Sequence, residues 1–268
     1  MPFQNDIFVV CLLTIVIHFI GIVSLSARIV GIRTKRIASS FSLFNLISLI
    51  SQFSSSIQSP LLAKSIENQI IHGLSPNNLS FRLIIFSATI GSGFGIVAIP
   101  SAHRFMAKGV NNLYYHRSVF KVLIKSIKPS IFIHIKESLA LPKIENLTRL
   151  KRYHDISLSM ILLNILVNSF ITVSVLSCLY AGFLNPNLRT TALSLNGISV
   201  GIGIIGMMLF VEPYNATLTD KVIDGSISEA YFRRFLTFVV IARMIGTISG
   251  QFLLIPLAKI IVKIAEII

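Results

Sequence analysis

The chain has 268 residues, of which 53% are hydrophobic and 13% charged, about half the roughly 25% charged residues of an average soluble domain. That composition excludes an ordinary soluble enzyme. The formal charge of +14 would point to nucleic acid in a soluble protein, but apolar blocks long enough to cross a bilayer recur along the chain. Here the excess of base reads instead as loops retained on the cytoplasmic side, with no nucleic-acid partner.

The apolar runs predict an all-α polytopic membrane protein forming a single transmembrane domain. Its six spans fall near residues 7–27, 37–63, 81–102, 156–181, 192–211 and 235–258, with a basic cytoplasmic insert over 103–155. Asp6 precedes the first span and Arg28, Arg33, Lys35 and Arg36 follow it. A cleaved signal peptide needs the opposite order of charge, so this span is retained. In the second span Asn45, Ser48, Gln52, Ser55 and Ser59 step by three and four and share one stripe of a helix, with Gln58 and Pro60 at its outer end. Such a stripe is either a packing seam between helices or the lining of a cavity. Gly91 and Gly95 in the third span suggest close helix approach.

The insert holds eleven Lys and Arg, Arg104 and Lys108 among them. Within it Arg117, Lys121, Lys125 and Lys128 line one helical face ending at Pro129. This is the pattern of an interfacial helix on anionic lipid, worth about 1 kcal/mol per basic residue. Asn164, Asn168 and Thr172 give the fourth span a short polar stripe suited to interhelical hydrogen bonds. In the fifth span Gly197 and Gly201 suggest close approach, and Glu212 and Pro213 close it. Arg243, Thr247 and Gln251 recur at four-residue steps in the sixth, beside Gly246 and Gly250. Arg243 stands nine residues past Arg234, about 13 Å along a helix and too deep for easy snorkelling. In lipid it would cost about 2.5 to 3.5 kcal/mol, so it should meet a water-filled cavity, a carboxylate or an anionic ligand. A structural pair with Glu212 competes with a ligand.

Of the 24 basic residues, 18 fall in the first, third and fifth connections, which places both termini outside. Tyr153, Tyr180, Tyr214 and Tyr231 lie near span ends, as an aromatic belt requires, and Arg82 and Arg189 start spans from the outer side, where they can snorkel. No His-Glu-x-x-His, P-loop or Gly-x-Ser-x-Gly occurs, and the six histidines lack metal-ligand spacing. Gly91-Ser-Gly-Phe-Gly95 lies mid-span with no strand before it, so it is no nucleotide loop. Asn-x-Ser/Thr sequons, Asn215 among them, are at chance level. No catalytic residue, cofactor or metal is expected, and the chain reads as something other than an enzyme.

Several stretches together resemble one family. Gly31-Ile-Arg-Thr-Lys-Arg36 leads into Ser42-Leu-Phe-Asn45, and Gln58-Ser-Pro-Leu-Leu62 follows. Glu212-Pro213 with Asp220 downstream, then Gly246-Thr247 with Gln251 and Pro256, complete a series running in order along almost the whole chain. In combination these motifs resemble the Amj family, alternate lipid II flippases of the bacterial cytoplasmic membrane. The chain departs from the family pattern at Gln52, where a basic residue is common, and at Glu212, where Asp is common. The resemblance implies transport of lipid II, the undecaprenyl-diphosphate-linked peptidoglycan precursor, from the inner to the outer leaflet for cell wall synthesis. It implies a substrate site with Arg243 on the diphosphate, Gln52, Gln58, Asn45 and Gln251 as neutral donors, and Glu212 as the nearby carboxylate. Arg28, Arg33, Arg36 and Arg104 would gather substrate at the cytoplasmic mouth. An intramembrane enzyme acting on polyprenyl phosphates and a small-solute transporter are the competing readings of the same cationic interior.

Overall fold

All the apolar blocks fold as helices, because in lipid a chain must satisfy its own backbone donors and acceptors. The computed structural model describes residues 2–74, 78–116, 136–142 and 155–268, and among these there is no strand. The long helices are α1 (Pro2–Val23), α2 (Ser26–Thr34), α3 (Ile37–Ile71), α4 (Leu79–His116) and α5 (Leu158–Leu184). After a 3-10 turn at Pro186–Leu188 come α6 (Arg189–Ser194), α7 (Asn196–Gly206), a π turn at Met207–Val211, α8 (Glu212–Ile223) and α9 (Glu229–Ile267). Six segments are long and apolar enough to cross a membrane: Asp6–Thr34, Ile37–Ile71, Leu79–Tyr115, Leu158–Leu184, Pro186–Ile223 and Glu229–Ile267. The six expected spans are present.

The helices are longer than the spans. With 39 residues, α9 extends about 58 Å against a hydrocarbon core of about 30 Å, so its ends project well beyond the apolar layer. Likewise α4 continues unbroken to His116, so residues 103–116 extend the third span rather than begin a separate insert. The expected interfacial helix at Arg117, Lys121, Lys125 and Lys128, and Tyr153, lie outside the described residues.

Two packed groups form the bundle. Helix α1 lies between α3 and α4, while α9 runs along α5 and also touches α4, which joins the groups. Glycines set the closest contacts. A Cβ at Gly91 would collide with the Ile15 backbone and one at Gly95 would sit 2.7 Å from Ile22 Cβ, so α1 and α4 meet there as the spacing predicts. A Cβ at Gly246 would lie 2.9 Å from the Ile165 carbonyl, and one at Gly250 2.8 Å from Val173, on α5. The expectation fails at Gly197 and Gly201, which have nothing within 4 Å. On α7 it is Gly203 and Gly206 that face α5, against Ile171 and Val167. Choosing between the two glycine rows needed the rotation of α7, which small residues on both faces leave undetermined.

The apolar core is divided along the bundle. One cluster gathers Val10, Leu62, Ile66, Phe81, Ile85, Val173, Leu176 and Leu254. A second gathers Ile22, Leu25, Ile29, Ile156, Leu218, Phe232, Phe235 and Val239. A third gathers Ala27, Val30, Leu43, Met106, Val110 and Leu113, and the same helices carry the polar residues Thr14, His18, Thr89, Ser92, Asn164, Ser169, Arg243 and Thr247. Tyr180 is not a belt residue: it is 6% exposed and packs edge-on against Phe81, ring centroids 5.1 Å apart.

Candidate functional site

The site begins at a tight corner between α2 and α3. Lys35 adopts the left-handed conformation at φ 53° and reverses the chain. A Cβ at Gly31 would stand 3.3 Å from both Ile37 Cα and Ser40 Cβ, and the Ser40 hydroxyl donates to the Ala27 carbonyl at 2.5 Å. This corner fixes Arg28, whose guanidinium lies 5.3 Å from the centre of the Phe41 ring, within cation–π range.

Arg28 forms an ion pair with Glu212 at the start of α8. Its side chain is 8% exposed and that of Glu212 31%. Arg243, half-buried on α9, donates through Nη1 to the Gly21 carbonyl at 3.2 Å. It lies within electrostatic reach of both Glu212 and Arg28, and His18 within reach of Arg243. The Arg243–Glu212 pair weighed from the sequence is therefore replaced by an Arg28–Glu212 pair, with Arg243 beside it. Arg28 Nη1 and Arg243 Nε are buried with no hydrogen-bond partner among the described residues. Two guanidiniums against one carboxylate leave one positive charge uncompensated, and a buried charge of that kind favours an anion.

The fifth span changes its hydrogen-bond register where it supplies Glu212. A π turn over Met207–Val211 runs directly into Glu212 and Pro213, and π turns inside helices often mark functional positions. One turn on, Asn215 is fully buried with neither amide atom partnered among the described residues. Sequence reasoning met Asn215 only as a sequon. The signal that finds it is its spacing of three from Glu212, which puts both on one side of α8.

The remaining expected residues divide into three groups. At the end of the bundle where α2 meets α9, Arg33 pairs with Glu229 at 2.8 Å, and Arg233 lies 3.8 Å from the same carboxylate. Arg36 donates to Asn111 Oδ1 at 2.6 Å and lies 3.8 Å over the Tyr114 ring, while Arg104 is exposed with no ion pair among the described residues. Second, Gln58 and Gln251 are engaged within the protein. Gln58 donates to the Thr14 hydroxyl at 2.9 Å, and Gln251 donates to the Arg82 carbonyl at 2.9 Å while Arg82 returns a bond to the Gln251 carbonyl at 3.4 Å. Third, Asn45 and Gln52 are exposed on α3, and their side chains make no hydrogen bond among the described residues.

That third group belongs to the polar stripe on α3. The helix packs through Ser51, Ser54 and Gln58, with the Ser51 hydroxyl 3.4 Å from the Ile17 carbonyl on α1. Of the stripe, Asn45, Gln52 and Ser55 are exposed and face outward, while Ser48 and Ser59 are half-buried. Asn164, Asn168 and Thr172 also differ from expectation: each bonds the carbonyl four residues back in its own helix, at 2.7 to 3.0 Å, rather than a neighbouring helix. A Cβ at Gly246 would meet Asn168 Cβ as well as the Ile165 carbonyl, so the two helices approach closely at this point. Arg82 and Arg189 do not simply snorkel, since Arg82 meets Gln251 and Arg189 pairs with Glu67 at 3.1 Å.

The sequence model of the Amj family, described as "Alternate to MurJ", matches residues 13–265. The Lipid II flippase Amj of Bacillus subtilis (strain 168) is 31% identical over 253 residues, which is 93% of this chain and 93% of that protein. No solved structure matches the chain.

Proposed function

This chain belongs to the Amj family, and on that premise we propose that it is a lipid II flippase of the cytoplasmic membrane. It carries the undecaprenyl-diphosphate-linked peptidoglycan precursor from the inner to the outer leaflet. The observation that carries the site is the unbalanced pair of guanidiniums: Arg28 is ion-paired with Glu212, Arg243 lies within electrostatic reach of both, and each arginine has a buried N–H left unpartnered among the described residues. A diphosphate supplies the acceptor oxygens and negative charge these groups lack, since guanidinium binds phosphate with short, charge-assisted bonds.

The rest of the molecule suits a substrate with a polar head and an apolar tail. The outward stripe of Asn45, Gln52 and Ser55 on α3 offers amide and hydroxyl groups to sugar and peptide while the polyprenyl tail stays in lipid. Arg33, Arg36 and Arg104 gather the anionic headgroup on the cytoplasmic side, where the weight of basic residues places them. Gln58 and Gln251 brace helices beside that path through bonds to Thr14 and Arg82. The basic insert holds anionic membrane lipids at the same surface. Moving a headgroup breaks no covalent bond, so the protein works as a transporter rather than a catalyst.

The membrane potential drives the outward direction. One charge moved through 100 mV is worth about 2.3 kcal/mol, so a diphosphate bearing two negative charges gains up to about 4 to 5 kcal/mol on leaving an inside-negative cell. In liposomes holding the purified protein and labelled lipid II, an imposed inside-negative potential accelerates outward flipping and its collapse slows it. Flipping at the same rate in both conditions contradicts this coupling.

A further inference from the structure

Charge balance and the broken fifth span together give Glu212 a second role, one that rests on the reading of the site as a lipid diphosphate site. Arg28 is the fixed member of its pair, held by the α2–α3 corner and the Phe41 ring. Glu212 is the more exposed member and sits between a π turn and Pro213, where the helical hydrogen-bond ladder is already interrupted. With Glu212 in place, Arg28 and Arg243 hold one uncompensated positive charge, which a monoanion neutralises. A diphosphate diester carries two negative charges, so beside Glu212 it would set three negative charges against two positive. With Glu212 withdrawn, two face two.

We propose that Glu212 is a built-in counter-ion that holds the place of the diphosphate in the empty protein, is displaced by it, and on leaving releases α8 from α2. Asn215 turns with Glu212 on the same side of α8, and its fully buried, unpartnered amide is the group that gains a partner as α8 shifts. When Glu212 returns, it competes with the headgroup and expels it, so one carboxylate serves both to guard the site and to clear it.

The test is Glu212→Gln in the full-length protein, which keeps shape and removes charge, read by binding of fluorescent lipid II and of phosphatidylglycerol in neutral micelles. Removing one negative charge favours each ligand in proportion to its own charge. Lipid II binding tightens about tenfold and phosphatidylglycerol binding about threefold, the square root of the first. Lipid II exposure at the outer leaflet nonetheless falls, because nothing expels the headgroup. Glu212→Asp, which keeps the charge, binds within about twofold of the wild type. A second measurement needs no change at Glu212: spin labels at the exposed positions Lys35 and Ser226 move apart when lipid II is added. Binding that is unchanged or weaker in Glu212→Gln, with the wild type binding normally, overturns the displacement and leaves the site standing, as does an unchanged label distance. A wild type that binds no lipid II overturns the reading of the site as well.

Discussion

Arg28 and Glu212 lie 184 residues apart in sequence and meet where α8 packs against α2. Burying two charges is worth little over an apolar pair, but removing one partner alone exposes the other's desolvation cost. Arg28→Leu therefore destabilises the protein by about 1–3 kcal/mol, seen as a lower melting temperature in detergent. The double variant Arg28→Leu/Glu212→Leu recovers most of that loss; a double variant as unstable as the single one contradicts the pairing. Sequence alone made Arg243 legible, since a lone cation deep in an apolar run carries a cost that demands a partner. It did not reveal that Glu212 belongs to Arg28, because the choice between two arginines depends on how the spans cross. Nor did it reveal Asn215, whose significance is its complete burial.

Helices were legible where the bilayer dictates them. About 20 apolar residues in succession leave no alternative to a spanning helix, so all six spans appear near their expected places. Their ends were not legible, because α3, α4 and α9 continue in mixed polar sequence that is helical by tertiary contact rather than by hydrophobicity. The packing face was read correctly at Gly91 with Gly95, while the close contact at Gly246 and Gly250 was not drawn from their spacing. The face was misread on α7, where Gly197, Gly201, Gly203 and Gly206 mark both sides. A pair of substitutions checks the distinction. The Cβ of Gly246→Ala lies 2.9 Å from Asn168 Cβ and from the Ile165 carbonyl, so α5 and α9 must separate at a cost of about 1–3 kcal/mol. Gly201→Ala meets nothing within 4 Å and leaves thermal stability unchanged. Equal effects of the two would contradict the α5–α9 packing.

At the scale of the whole molecule, three apolar clusters make up the core, and the same helices carry Arg243, Thr14, His18, Thr89 and Thr247. Thr89 and Thr247 bridge α4 and α9 at 3.0 Å, close to where the two helical groups join. A buried cationic centre at Arg28 and Arg243, with exposed polar residues on α3, suits a cargo with an anionic head and a tail that stays in the hydrocarbon. The central claim is that this protein moves lipid II by way of that cationic centre. Its most direct test is rescue of bacteria depleted of their resident lipid II flippases, with lipid II exposure to an external probe as the readout and Arg243→Ala alongside. The wild type restores exposure, and Arg243→Ala, inserted at the same level, restores at most about a tenth as much, as loss of one charge-assisted contact of about 1.4 kcal/mol implies. Full rescue by Arg243→Ala would contradict the cationic centre, and no rescue by a correctly inserted wild type would contradict the flippase itself.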